Sequence, residues 1–186
     1  MAVSSLKQPI TRLIGRSKII STRQEGTKVR RRLSPVNLPA YAAQENLLKN
    51  TPLFAELRGE EQRAIGQGMQ LRSYTVNETL FAKDEPGDAL YLIQEGWVKL
   101  STADGNPVIT ALGPGSLAGE TDFLLGRPYM ATARAASDVM VWVLENTALA
   151  QMMAGCPQIG LSLGLAFGAG IVQFQDHLAE KLVKIP

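Results

Sequence analysis

A chain of 186 residues, 45% apolar and 19% charged, has an ordinary globular composition and is long enough to bury a core without staples. The single cysteine, Cys156, excludes an intramolecular disulfide and suits a reducing, cytoplasmic setting. The single histidine, His177, leaves no paired metal-ligand spacing and no Cys/His or Ser/His arrangement unless it folds back onto the body, so neither an enzyme nor a bound metal or cofactor is expected.

The net charge of +2 conceals a split along the chain. Residues 1–40 hold nine Lys/Arg against Glu25 alone, a balance of +8, and the remainder holds ten basic and sixteen acidic residues, a balance of −6. This N-terminal segment reads as a basic, flexible arm, with Arg12, Arg16, Arg30, Arg31 and Arg32 available to an anionic partner. Leu13, Ile14, Ser17 and Ile20 share a helical face opposite Arg12 and Arg16, although Gly15 weakens any helix there. An acidic protein face, nucleic-acid phosphates, an anionic membrane surface, an organellar transit peptide and a solvated tail are all compatible with such an arm. Pro35 and Pro39 bracket a short extended stretch before the body begins.

Glu45 to Met69 reads as helix, cut into pieces by Pro52 and Gly59, with Leu47, Leu48, Leu53, Phe54 and Leu57 as apolar anchors. Short strand-like runs separated by turn signals follow: Tyr74–Val76, Thr79–Phe81, Leu90–Ile93, Trp97–Leu100 and Val108–Leu112. Pro86-Gly87-Asp88, Glu95-Gly96, Asp104-Gly105 and Gly113-Pro114-Gly115 mark the turns. Trp97, Lys99 and Ser101 alternate with Val98 and Leu100, as on a half-buried strand. Ala131 to Leu144 forms a further strand pair, and helix returns from Asn146, with Pro157 opening a last segment. This order gives three parts: the arm at 1–40, a barrel with leading helices at 41–155, and a C-terminal helix at 156–186.

Three stretches carry a resemblance to a known family. Thr51-Pro-Leu-Phe-Ala-Glu-Leu resembles an opening helical segment, and Gly87-Asp-Ala-Leu-Tyr-Leu-Ile-Gln-Glu-Gly-Trp-Val-Lys-Leu a glycine-acid, strand, glycine, strand signature. The third, Pro114-Gly-Ser-Leu-Ala-Gly-Glu-Thr-Asp-Phe-Leu-Leu-Gly-Arg-Pro-Tyr-Met-Ala-Thr, resembles a phosphate-binding cassette. Together they are similar to the cyclic-nucleotide-binding domain of catabolite-activator-type regulators, kinase regulatory subunits and gated channels. The resemblance spans about residues 45–175. It implies an α+β fold, mainly a double-stranded β-helix (jelly-roll) barrel flanked by N- and C-terminal helices.

The resemblance also implies ligand positions at Gly119, Glu120, Ala131 and Thr132, with Glu120 on a ribose. A carboxylate capping the start of a short helix is the other reading of Glu120. Tyr129 stands where the family carries its phosphate-gripping arginine, and a neutral hydroxyl is a poor substitute for a bidentate guanidinium. Arg127 is the candidate replacement, whereas Asp122 would add negative charge near a phosphate if it points inward. A cyclic nucleotide is therefore disfavoured, and a regulatory or assembly module with a degenerate cassette is the leading expectation. A sensor of a cyclic dinucleotide or other small ligand is an alternative, and a nucleic-acid-binding accessory protein is another.

No charged residue occurs between Glu145 and Asp176. Gly160, Gly164 and Gly168 recur every fourth residue within that window and form a smooth helical stripe suited to close backbone approach. An uncharged core of about 14 residues between glutamines falls short of the ~20 a membrane span needs. The corresponding helix of the regulators is a dimer seam, so the resemblance implies a homodimer or a larger assembly. No segment of helix-turn-helix size follows, and a DNA-reading output is not expected.

Overall fold

The computed structural model describes residues 38–102 and 107–183, with side chains from Tyr41 as far as Val172. The basic residues of the arm and the Asp104-Gly105 turn lie outside the described residues.

Helix α1 (Leu38–Asn50) starts earlier than the apolar pattern suggests. Pro39 sits in its first turn rather than in an extended stretch, a position where the missing N–H costs nothing. Helices α2 (Pro52–Ala55) and α3 (Gly59–Gly68) follow, broken as Pro52 and Gly59 predict. Glu61 is buried under the last helix, α6 (Gln158–Val183). Its carboxylate accepts bonds from the Arg58 guanidinium at 2.7 Å, the Arg58 N–H at 3.0 Å and the Ser162 hydroxyl at 3.1 Å. A buried charge is tolerable when its oxygens are satisfied in this way.

Eight strands then form two antiparallel four-stranded sheets that face each other as a jelly roll. One has the order β1 (Gln70–Tyr74), β8 (Val139–Glu145), β3 (Ala89–Glu95), β6 (Leu117–Ala118). The other runs β2 (Thr79–Phe81), β7 (Thr132–Ala135), β4 (Val98–Ser101), β5 (Val108–Leu112). The first strand ends at Tyr74, and Thr75-Val76 belong to a turn whose Asn77 has φ 70°, so the strand predicted at 74–76 is displaced. Strand β6 is only two residues long and gives no period to read. The alternation along β4 fails at its end. Ser101 is buried although Lys99 is exposed, at the point where the pairing with β5 shifts between Leu100 and Ser101.

Strands β3 and β8 are buried on both faces, which explains their near-continuous apolar runs. Ala89, Tyr91 and Ile93 face the barrel interior together with Val139, Val141 and Val143. Leu90, Leu92, Trp142 and Leu144 face the other way, into a second core shared with α1, α3, α5 (Asn146–Gly155) and α6. Ile159, Leu163 and Ala166 seat α6 on that core. Among the described residues, no helix is long and apolar enough to cross a membrane.

Candidate functional site

The cassette begins where β6 ends. Gly119 has φ 77° and starts α4 (Glu120–Leu125), which Gly126 closes at φ 62°. A Cβ on Gly119 would stand 2.9 Å from Cε1 of Tyr129, so glycine is required both for the backbone and for the ring beside it. The loop from Arg127 then returns under the turn before β3. A Cβ on Gly87 would lie 2.3 Å from the Arg127 carbonyl oxygen, and the two segments pack that closely because Gly87 has none.

Tyr129 is 2% exposed. Its ring stacks on Phe81 with centroids 3.9 Å apart and planes at 20°, and Phe81 in turn leans on Tyr91 at 5.3 Å. The hydroxyl donates to the Ala89 carbonyl at 2.6 Å and accepts from the Ala89 N–H at 3.1 Å. Strand β6 pairs with β3 only at Tyr91 and Leu92, so the outward polar groups of Ala89 lie just beyond its end. One hydroxyl, being both donor and acceptor, does for Ala89 what the next residue of a longer strand would do. Burial pushes the Tyr129 phenol up to about 12, with the Ala89 backbone bond opposing that shift. Burial also raises the Tyr91 phenol, whose hydroxyl donates to the Leu80 carbonyl at 3.2 Å.

Arg127 does not reach toward the Tyr129 position. Its Nε donates to Asp122 Oδ1 at 2.8 Å, and its side chain is 43% exposed. Asp122 does point inward, and its other oxygen, Oδ2, accepts the Met130 backbone N–H at 3.1 Å. Glu120 is half-buried, and its carboxyl lies above the ordinary carboxylate range. Burial is the main cause and repulsion from Asp122 adds to it, while a hydrogen bond from its own backbone works against them. Thr132 is buried and its hydroxyl oxygen accepts the Lys83 N–H at 3.0 Å, whereas Ala131 beside it is partly exposed. Gly119 and Tyr129 thus meet in the cassette, Glu120 follows at the start of α4, Thr132 bonds to the Lys83 backbone, and Arg127 pairs with Asp122.

Sequence reasoning did not find Ala89 and Phe81 as the partners of Tyr129. Phe81 is more than 40 residues from Tyr129, and no local period connects them. The Asp122–Arg127 pair spans five residues across a glycine turn, a spacing that gives no helical signal.

The glycines of α6 divide. A Cβ on Gly160 would meet the Met153 methyl at 2.5 Å, whereas Gly164 and Gly168 have nothing within 4 Å. Steps of four residues overshoot a 3.6-residue turn by about 40° each, so the row drifts from the protein toward open space. Leu161, Leu165 and Val172 lie on the exposed side, at 59%, 67% and 55% exposure. His177 falls on α6 beyond the described side chains.

Residues 71–156 match the family model described as the cyclic nucleotide-binding domain. These residues belong to the cyclic nucleotide-binding domain family. Over 115 residues the chain is 30% identical to the cAMP-dependent protein kinase regulatory subunit of Candida albicans, covering 60% of this chain and 25% of that protein. Over 113 residues it is 30% identical to a cyclic nucleotide-gated potassium channel of Mesorhizobium japonicum, covering 61% and 31%. The chain therefore spans about a quarter to a third of these curated relatives. Among solved structures, the N-terminal domain of a Streptomyces coelicolor A3(2) transcriptional regulator superposes with a TM-score of 0.62 at 28% identity, covering 70% of this chain and 95% of that one. In this cyclic nucleotide-binding domain, the antiparallel barrel and flanking helices are those the motifs imply.

Proposed function

We propose that this chain is a non-enzymatic regulatory or assembly module that keeps the cyclic nucleotide-binding scaffold and takes no cyclic nucleotide. The observation that carries the reading is Tyr129. A ligand phosphate in a partly buried pocket is best held by a guanidinium. This residue instead offers a phenol whose hydroxyl is already engaged on both sides by Ala89 and whose ring is stacked on Phe81. Freeing that hydroxyl would leave two buried backbone groups of Ala89 without partners. Losing the charge-assisted bond costs roughly 1.5–3 kcal/mol in addition, one to two orders of magnitude in affinity.

Function then moves to the surface. The side of α6 that carries Leu161, Leu165 and Val172, with Gly164 and Gly168 open beside them, suits a second copy of the chain approaching backbone to backbone. Calorimetric titration of the full chain with cyclic AMP and cyclic GMP is expected to show no binding at tens of micromolar. Micromolar binding that Glu120→Ala removes would overturn the reading. Sedimentation is expected to show a dimer or larger species that Leu165→Glu dissociates, and a monomer at high concentration would remove the assembly half of the proposal.

A further inference from the structure

The Asp122 carboxylate is held as a bound anion would be held. It is 9% exposed, and each of its oxygens takes a separate donor: Oδ1 the Arg127 Nε and Oδ2 the Met130 backbone N–H. A single guanidinium N–H and a backbone amide converging from one loop form a seat for an oxyanion. We propose that this seat is an oxyanion-binding site occupied by the protein's own carboxylate, so that Asp122 holds the cassette permanently in a filled state. The proposal rests on the reading that the cassette takes no cyclic nucleotide, and it names an anion that the cassette loop holds from within the chain.

The backbone of the loop that carries the two donors is fixed independently of the carboxylate, whereas the Arg127 guanidinium is held by Asp122. The Arg127 N–H donates to the Asp122 main-chain carbonyl at 3.0 Å, which closes the turn after α4. Further along, the Tyr129 N–H donates to the Glu85 carbonyl at 2.9 Å, and the Asp84 N–H donates to the Tyr129 carbonyl at 2.9 Å. The Tyr129 side chain is anchored on Ala89. Shortening the Asp122 side chain therefore leaves the loop backbone and the Met130 N–H in position, with the Arg127 guanidinium released from its only partner among the described residues and within reach of an anion at that N–H. The mouth is accessible, since Met130 is 62% exposed and the Arg127 side chain is 43% exposed. A tethered anion also has no association entropy to lose, so it excludes a free anion at ordinary concentrations.

The test uses the full chain and two probes, inorganic phosphate and inorganic sulfate, against sodium chloride at matched ionic strength. Asp122→Ala is expected to gain saturable stabilisation by both, at least tenfold tighter than the wild type, and Asp122→Ala/Arg127→Gln is expected to lose that gain. The proposal is overturned if folded Asp122→Ala shows no saturable response, if the wild type responds equally, or if Arg127→Gln leaves the response intact. If Asp122→Ala does not fold, Asp122→Asn and ¹⁵N-resolved exchange decide. The Arg127 Nε–H and the Met130 amide are expected to exchange at least tenfold more slowly in the wild type than in Asp122→Asn, and equal rates overturn the proposal. Cyclic AMP binding by the wild type would instead defeat the reading of Tyr129, while a silent wild type with a silent, folded Asp122→Ala defeats this inference alone.

Discussion

Replacing Tyr129 by Phe removes one oxygen atom and keeps the ring that stacks on Phe81. The two hydrogen bonds lost, 2.6 Å and 3.1 Å long, both end on Ala89, which is itself 3% exposed. Two ordinary buried bonds are together worth about 1–3 kcal/mol net, and a stranded N–H or C=O costs about 1–3 kcal/mol each. Strand β6 ends before it can pair with Ala89, so strand pairing does not compensate on that side. The expected loss is about 2–4 kcal/mol. With a urea m-value of about 2 kcal/mol/M, the unfolding midpoint should fall by roughly 1–2 M at unchanged slope. Urea titration followed by tryptophan fluorescence measures this directly, since Trp142 lies in the core that α1, α3, α5 and α6 share. A loss under about 0.5 kcal/mol would refute the idea that the hydroxyl completes the edge of β3, and would make Tyr129 a space-filling ring only.

Gly87→Ala places a methyl 2.3 Å from the Arg127 carbonyl oxygen, against backbone that cannot swing away. A loss of about 1–3 kcal/mol is expected in urea unfolding, with Gly59→Ala, which meets nothing within 4 Å, as the neutral control. Equal effects at the two positions would show that the cassette loop is not pressed onto the β3 turn. Glu120 has a folded-state pKa raised above its ordinary 4.5, so the folded state holds the proton more tightly than the unfolded chain. Its contribution is therefore complete below about pH 4.5 and is lost as the pH rises through the folded value. Relative to Glu120→Gln, the wild type should lose stability on going from pH 4 to pH 7, and superimposable pH profiles would contradict the burial of this carboxyl.

Much of the fold is legible in the sequence. Pro52 and Gly59 cut the leading helices, and the turn glycines separate the strands, because these residues act on their own backbone. The alternation of Val139, Val141 and Val143 against Met140 and Trp142 reads as a half-buried strand, yet Trp142 is buried too, because β3 and β8 have a core on each face. Other features resisted reading. Pro39 reads as the end of an extended stretch and is instead a first-turn residue of α1, because proline is compatible with both roles. Ser101 departs from the alternation of β4 where the register with β5 shifts, and one strand's pattern does not contain its partner's register. The glycine row on α6 looked continuous because every-fourth spacing was visible, while its drift around the helix separates Gly160 from Gly164 and Gly168.

At the cassette, the sequence alone determined which residues stand there: a glycine and a glutamate at the start of α4, and a tyrosine in place of the expected arginine. Those are identities at positions, carried by a local string. Tertiary structure decided what each of them touches. Tyr129 meets Ala89, 40 residues away, because the return loop passes beside the end of β6. Asp122 turns inward because Arg127 and the Met130 N–H converge on it after the glycine turn. Hydrogen-bond partners are chosen by the path of the whole chain, so a residue type can show that a ligand contact is lost while only the folded structure shows what has replaced it.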